Sequence, residues 1–398
     1  MRIESIRIQN YRALRDVQIG DANHAPLPSM SVFVGANGSG KTTLFDTFGF
    51  LRDALVGNVQ TALQKRGGYN EVRSRDTTEP IRFEIKFREN SKRPLVTYEL
   101  EIAEADGQVV VKREVLKYRR GSKGQPWHFL DFSRGKGSAI TNELEDADSE
   151  QEMHREEQDL EAPDILAIKG LGQFARFQVA SSFRRLIEDW HVSDFRIDQA
   201  RTVPEIGVAE HLSAAGENLP LVTQFLFDRY RKVFNKILKQ MAQRVPGIEK
   251  VEAESTVDGR IVLRFQDGAF KDPFVSRYVS DGTIKMFAYL ILLYDPTPHP
   301  LLCVEEPENQ LYPQLLEELA EEFRGYAVRG GQVMVSTHSP DFLNATKLEE
   351  IFWLVKEKDG YTKVHRAAGS ELLRNLVNEG DHPGALWKQG LFKGANPQ

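Results

Sequence analysis

The chain has 398 residues, long for one domain, so two lobes are expected. With 40% hydrophobic and 28% charged residues it reads as an ordinary soluble globular protein, and a net charge of −6 excludes a global nucleic-acid footprint. No run approaches ~18–20 consecutive apolar residues, so no membrane span is expected, and one cysteine, Cys303, excludes an intrachain disulfide and fits a reducing cytoplasm.

Residues 2–8 alternate like a strand and lack a signal-peptide core. Asn10-Tyr11-Arg12 follows as a turn, and 31–34 reads as a second strand. A helix is predicted from about Lys41 to Leu55, then a basic, Gly-containing loop over 66–75. Three alternating runs, 81–87, 96–102 and 109–118, predict an antiparallel meander. Its end is basic, with Lys112, Arg113, Lys117, Arg119, Arg120 and Lys123. Residues 143–161 hold ten acids and one arginine, which predicts a solvated, mobile insertion. A short strand and a helix are expected over 163–190, then a strand over 192–197. Leu226, Tyr230, Val233, Ile237 and Met241 recur at helical spacing and predict one helix over 220–245. Arg229, Lys232, Lys236 and Lys239 form a basic stripe on it, either a solvated face or a surface for nucleic acid or an acidic partner. Strands are expected at 301–304, 332–336, 351–355 and 362–366, with helices over 284–294 and 313–328. This alternation predicts an α/β fold with a mostly parallel sheet flanked by helices.

The run Gly35-Ala-Asn-Gly-Ser-Gly-Lys-Thr42 fits the pattern GxxxxGK[ST] between a strand and a helix. Its glycines let successive N–H groups turn inward onto phosphate oxygens. Lys41 can reach the β- and γ-phosphates, Thr42 can hold Mg²⁺, and the helix dipole adds positive potential. Far downstream, the strand 301–304 ends in Glu305 and Glu306, and the strand 332–336 ends at Thr337-His338. One carboxylate suits Mg²⁺ and the next suits orienting or deprotonating the attacking water. His338 suits the γ-phosphate. In open parallel sheets, ligands bind at these carboxyl ends.

Gly35–Thr42, Ser280-Asp-Gly-Thr283, Leu301–Glu306, Pro307–Pro313 and Thr337–Pro340 occur in that order. Together they resemble the ABC-type ATPase core of the RecF, Rad50, SMC and OLD-like group, nearest to compact AAA-family ATPases of bacterial antiviral defence. The resemblance covers roughly 1–60 and 210–345. It implies ATP and Mg²⁺ as ligands, with Asn37, Gly38, Ser39, Gly40, Lys41, Thr42 and Thr43 at the nucleotide. Glu305 would be the magnesium carboxylate, Glu306 the catalytic glutamate, 307–310 the D-loop and His338 the switch histidine. Ser280 and Gly282 would form a signature that closes on ATP held by a second subunit. Arg12 is similar in position to a nucleotide-contacting arginine, and Gln173 is the candidate Q-loop metal ligand, ahead of Gln199. Two departures stand out. Position 305 is Glu where many ABC ATPases have Asp, and the signature reads Val-Ser-Asp-Gly-Thr, which favours the repair and defence branch over transporters.

The resemblance implies an ABC-type head with an antiparallel β subdomain and a helical insertion. The expected divisions are 1–135, an acidic insertion at 136–162, a helical insertion at 163–248, and 249–398. The expected activity is ATP hydrolysis by a head-to-head homodimer in the cytoplasm, controlling a separate effector such as a nuclease or toxin. A RecF-like factor binding DNA through Lys112–Lys123 and Arg229–Lys239 stays open as the alternative. An OLD-like nuclease is disfavoured, because only about fifty residues follow Thr337–Pro340 and they hold no obvious acidic cluster.

Overall fold

Alternating apolar residues and a glycine-rich turn lay out the first half of the chain. The structure, a computed structural model, describes residues 1–90, 92–120, 124–142 and 150–395. Two compact units emerge, Met1–Trp190 with Leu348–Gln398, and His191–Lys347. The 163–248 segment expected as one insertion therefore divides at Trp190.

In the first unit, β1 (Arg2–Tyr11) and β2 (Leu14–Ile19) form a hairpin, and β3 (Met30–Val34) is wholly buried. The turn expected at Asn10-Tyr11-Arg12 lies one residue further on, because the strand runs through Tyr11. α1 (Lys41–Val56) leaves the glycine-rich loop. α2 (Val59–Gln64) and α3 (Tyr69–Val72) follow, so the basic loop carries a helical turn. β4 (Ile81–Arg88), β5 (Val96–Ala105), β6 (Gln108–Tyr118), β7 (Trp127–Ser133), β8 (Lys136–Ile140) and β9 (Arg155–Asp159) complete an antiparallel eight-stranded sheet, ordered β2-β1-β4-β5-β6-β7-β8-β9. The insertion expected as mobile over 136–162 thus contributes two paired strands. Its residues 143–149 lie outside the described part. α4 (Ala167–Leu171) takes the place of the short strand expected before Trp190, and α5 (Gln178–Glu188) is the helix expected after that strand.

One face of the large sheet is apolar. Ile81, Phe83, Ile85 and Phe87 are buried on β4, as period-two alternation requires. Phe87 stacks on Phe183 of α5 with centroids 4.4 Å apart, and Phe83 stacks on Phe50 of α1 at 5.7 Å. Burying each such ring contributes about 1.5–3 kcal/mol. These contacts fix α1, and hence the loop before it, against the sheet.

The second unit begins with β10 (His191–Ser193), α6 (Ile197–Ala200), α7 (Leu219–Arg229) and α8 (Arg231–Arg244). The single helix expected over 220–245 is broken at Tyr230, whose φ of −128° and ψ of 49° are not helical. β11 (Ile248–Ser255), β12 (Ile261–Asp267) and β13 (Phe274–Val275) form an antiparallel sheet. α9 (Asp281–Leu293) is buried from Thr283 to Leu293, as expected of a helix apolar on every face. β14 (Leu301–Glu305), α10 (Leu315–Val328), β15 (Gln332–Thr337) and α11 (Pro340–Asn344) complete the unit. β10, β14 and β15 run parallel, in that order.

The chain then returns to the first unit with β16 (Ile351–Lys356), β17 (Thr362–Arg366), α12 (Glu371–Asn378) and α13 (Pro383–Lys388). β16 pairs parallel with β3 and antiparallel with β17. Among the described residues, no helix is long and apolar enough to cross a membrane. Cys303 is buried, and burial first, then the Glu305 carboxylate, pushes its thiol pKa up.

Candidate nucleotide site and signature face

The glycine-rich loop joins β3 to α1 in the first unit. Gly38 and Gly40 have φ of 76° and 101°, in the left-handed region open to glycine. A Cβ on Gly40 would stand 2.3 Å from the Thr362 Oγ1 of β17, and one on Gly35 would stand 2.6 Å from the Leu354 carbonyl of β16. The loop is therefore pressed against its own neighbours and admits no larger residue there. Thr362 donates its hydroxyl proton to the Ser39 carbonyl at 2.8 Å. Lys41 is 6% exposed, and its ammonium donates to the carbonyls of Gly35 and Ala36 at 2.7 and 3.2 Å. Asn37, Gly38 and Thr42 are exposed along the rim, and Thr43 is half-buried. A curled backbone with a lysine folded across it, opening a 16-residue helix, fits a polyphosphate anion.

Arg12 lies elsewhere than expected of a free nucleotide contact. Its φ is 48°, and its guanidinium pairs with Asp46 of α1 at 3.0 Å. Asp46 also receives the Tyr11 hydroxyl and Arg66, so these groups brace the helix behind the loop. Gln173 sits in an exposed turn after α4, its amide donating to the Lys169 carbonyl at 3.2 Å. Gln199 is in the other unit, beside Asp198.

The second unit gathers the acids and the histidine. Glu305 closes β14, half-buried. Glu306 then takes φ 45°, and its N–H donates to the Ser336 carbonyl of β15 at 2.9 Å. This turn swings the Glu306 carboxylate onto His338, with Oε1 3.0 Å from Nε2. Its Oε2 accepts from Asn309 at 2.8 Å. Both partners keep about a third of their side chains exposed, at 38% and 30%, so the pair faces solvent.

Two residues that sequence reasoning did not single out hold this pair in place. Glu308 Oε1 accepts from the Thr337 hydroxyl and from the backbone N–H groups of His338 and Ser339, at 2.7, 2.6 and 3.1 Å. It fastens the turn carrying His338 to the turn carrying Glu306. Lys285 of α9 donates to the carbonyls of Asn309 and Glu306, at 2.8 and 3.4 Å. Burial lowers its pKa from 10.5 to about 8, against the pull of the Glu308 and Glu306 carboxylates. A lone lysine within the apolar run 284–293 was the available signal.

α9 starts at Ser280, an exposed N-cap whose Oγ accepts from the Thr283 N–H at 3.2 Å. A Cβ on Gly282 would stand 2.8 Å from the Gln310 carbonyl, so a glycine is needed for the signature to meet the 307–310 turn. Arg201 pairs with Asp281 at 2.7 Å and donates to the Val279 carbonyl, holding the cap.

A strand–phosphate loop–helix unit, parallel strands ending in paired acids, and a capped helix after Ser280 sit on a fold similar to that of SMC ATPase heads. Residues 30–344 match the family described as "AAA domain, putative AbiEii toxin, Type IV TA system", and the chain belongs to that family. No curated protein matches it by sequence. Its fold is similar to an SMC head bound to the C-terminal winged-helix domain of ScpA (TM-score 0.55, 13% identity, 92% of this chain and 97% of that one). It is also similar to an Smc head with an extended coiled coil bound to the C-terminal domain of ScpA, derived from Pyrococcus furiosus (TM-score 0.51, 12% identity, 94% and 99%).

Proposed function

We propose that this chain is an ATP-hydrolysing switch. Two copies close head-to-head around ATP, and hydrolysis releases them. The observation that carries this reading is the exposed N-terminus of α9. A helix end capped by Ser280, with Tyr278 beside it 77% exposed, supports this reading, because free N–H groups at a helix start suit an anion. Exposed aromatics are typical of protein interfaces. Tyr312, at the end of the 307–310 turn, is 65% exposed and extends the same kind of surface.

In this reading the backbone of 37–43 and Lys41 hold the triphosphate. Thr42 and Glu305 hold Mg²⁺, which would neutralise charge on the β- and γ-phosphates. Gln173 would join them only by releasing its hydrogen bond to Lys169. Glu306 orients and deprotonates the attacking water, and His338, held 3.0 Å from it, reads the γ-phosphate. Arg12 acts from behind the loop by fixing Asp46.

The output we infer is control of a separately encoded effector in antiviral defence, in the cytoplasm. The toxin–antitoxin description of the matched family supports it, and ScpA-bound heads of the same fold are a precedent for a partner protein. A DNA-binding role is the second reading. Lys232, Lys236 and Lys239 are exposed on α8. Half of the other basic cluster is neutralised, because Lys112, Arg113 and Lys117 pair with Glu101, Asp131 and Glu99. Lys123 lies outside the described residues.

Light scattering with saturating ATP and Mg²⁺ tests the switch. Glu306→Gln is expected to bind ATP, fail to hydrolyse it and accumulate as a dimer. A variant that binds ATP yet stays monomeric refutes closure. Duplex-DNA affinity that falls steeply with salt, and is lost on replacing Lys232, Lys236 and Lys239, would favour the second reading.

A further inference from the structure

We propose that His211, Asp295 and His299 form a binding site for a divalent transition metal of the zinc class, separate from the ATP-handling residues. One ligand atom from each lies within 4.8 Å of the other two. A tetrahedral site with zinc–ligand bonds of ~2.0–2.2 Å has its ligands roughly 3.3 Å apart. Modest side-chain rotation therefore closes these three onto one ion, with a fourth position left for water. Two imidazoles and a single carboxylate select a borderline metal, because Mg²⁺ and Ca²⁺ favour sets made of oxygen.

The supporting atoms are arranged as a metal site needs. Asp295 follows α9, its side chain 3% exposed, and its Oδ2 lies 2.6 Å from His211 Nδ1. Its Oδ1 accepts from the Thr297 N–H at 2.8 Å, which fixes the carboxylate plane. Prolines 296, 298 and 300 alternate with Thr297 and His299, so the loop between Asp295 and β14 has little backbone freedom to lose. The Tyr326 hydroxyl donates to the His299 carbonyl at 3.0 Å, and Asn218 donates to the His211 carbonyl at 2.9 Å. These contacts hold the backbone on which the two imidazoles stand. His191, 5% exposed, lays its ring 4.9 Å from that of His299 and limits its rotation. His211 keeps 40% of its side chain exposed and provides the way in.

The position assigns a structural role. His299 precedes the first residue of β14 and Glu305 is its last, so the two ends are ~20 Å apart at about 3.3 Å per residue. The ion would staple the loop over 201–218, through His211, to the loop over 294–300 that joins α9 to β14, through Asp295 and His299. Binding to the native state alone raises stability by mass action.

The test uses the full chain, treated with chelator and kept free of nucleotide. It is titrated with Co²⁺, read by visible absorption, and with Zn²⁺, read by calorimetry. One equivalent is expected, with a four-coordinate cobalt spectrum that Zn²⁺ abolishes and Mg²⁺ does not. His211→Ala, His299→Ala and Asp295→Asn should each weaken binding by at least ~10-fold, the lower end of outer-shell effects. Zn²⁺ should raise the Tm of the native chain and leave that of His211→Ala unmoved. His211 is partly exposed, so its truncation tests the site without emptying the core. A Glu305→Gln/His338→Ala variant should keep the cobalt spectrum. No stoichiometric binding by the native chain, equal affinity in His211→Ala and His299→Ala, or loss of the spectrum in the Glu305/His338 variant instead, each overturns the proposal.

Discussion

Replacing Lys285 with methionine offers a direct check on how the Glu306 turn is held. The lysine is 5% exposed, and burial brings its pKa from 10.5 to about 8. Below pH 8 the ammonium is charged in both native and unfolded chains, and the fold carries the full cost of burying it. Between 8 and 10.5 the native amine is neutral while the unfolded one still binds a proton, so stability rises with pH. Above 10.5 the cost is gone. At 1.36 kcal/mol per pH unit, the fall from 10.5 to about 8 corresponds to about 3 kcal/mol across that window. Urea unfolding of the native chain and of Lys285→Met at several pH values from 7 to 10.5 measures it. Subtracting the two curves cancels the buried tyrosines, which also titrate in alkali. The native chain should gain about 3 kcal/mol on the variant as pH rises through the window. Parallel curves would refute the burial cost assigned to the Lys285 ammonium.

Glu114, wholly buried, is pushed up to about 7 by burial, opposed by the N–H groups of Ile168 and Ala167 and by the Tyr98 hydroxyl. The native state keeps a proton that the unfolded state has lost between pH 4.5 and 7, so stability should fall by about 3 kcal/mol over that range. Unfolding of Glu114→Gln should lack this slope. Arg66 is 11% exposed and joins Asp46 and Asp53 at 2.7 and 2.8 Å. Arg66→Met should cost about 3 kcal/mol in urea unfolding by leaving the two carboxylates underpaired, and a loss below about 1 kcal/mol would mean that water already serves them. Gly40→Ala meets Thr362 Oγ1 at 2.3 Å with φ at 101°, and strain of about 1–3 kcal/mol should weaken binding of a fluorescent ATP analogue by roughly 5- to 160-fold. Unchanged affinity would show that the loop has room to spare.

The parts of the site that depend on local chemistry were legible. Gly35–Thr42 needs no distant residue to be recognised, and the apolar strands ending at Glu305 and Thr337 announce their ends by composition. The meander was legible because Ile81, Phe83, Ile85 and Phe87 alternate without interruption. β9 was not, because Arg155-Glu-Glu-Gln-Asp159 has no apolar residue and owes its form to pairing with β8. The break at Tyr230 was hidden because Leu226, Phe234 and Ile237 keep helical spacing through it. β11 and β12 alternate moderately, with many charges, and their pairing is a tertiary fact. Glu308 and Lys285 act across 21 to 31 residues, mostly on backbone atoms, and backbone partners leave no trace in side-chain patterns.

The wall behind Gly40 is Thr362, bonded to Ser39 across 323 positions. During synthesis at about 5–20 residues per second, the loop therefore leaves the ribosome roughly a quarter of a minute to a minute before its wall exists. Until then nothing in β17 supports the Ser39 carbonyl or limits the Gly40 turn. A nascent chain stopped before residue 362 should hold nucleotide poorly, however complete its phosphate loop. Late delivery of that threonine would make nucleotide binding wait for the synthesis of β17.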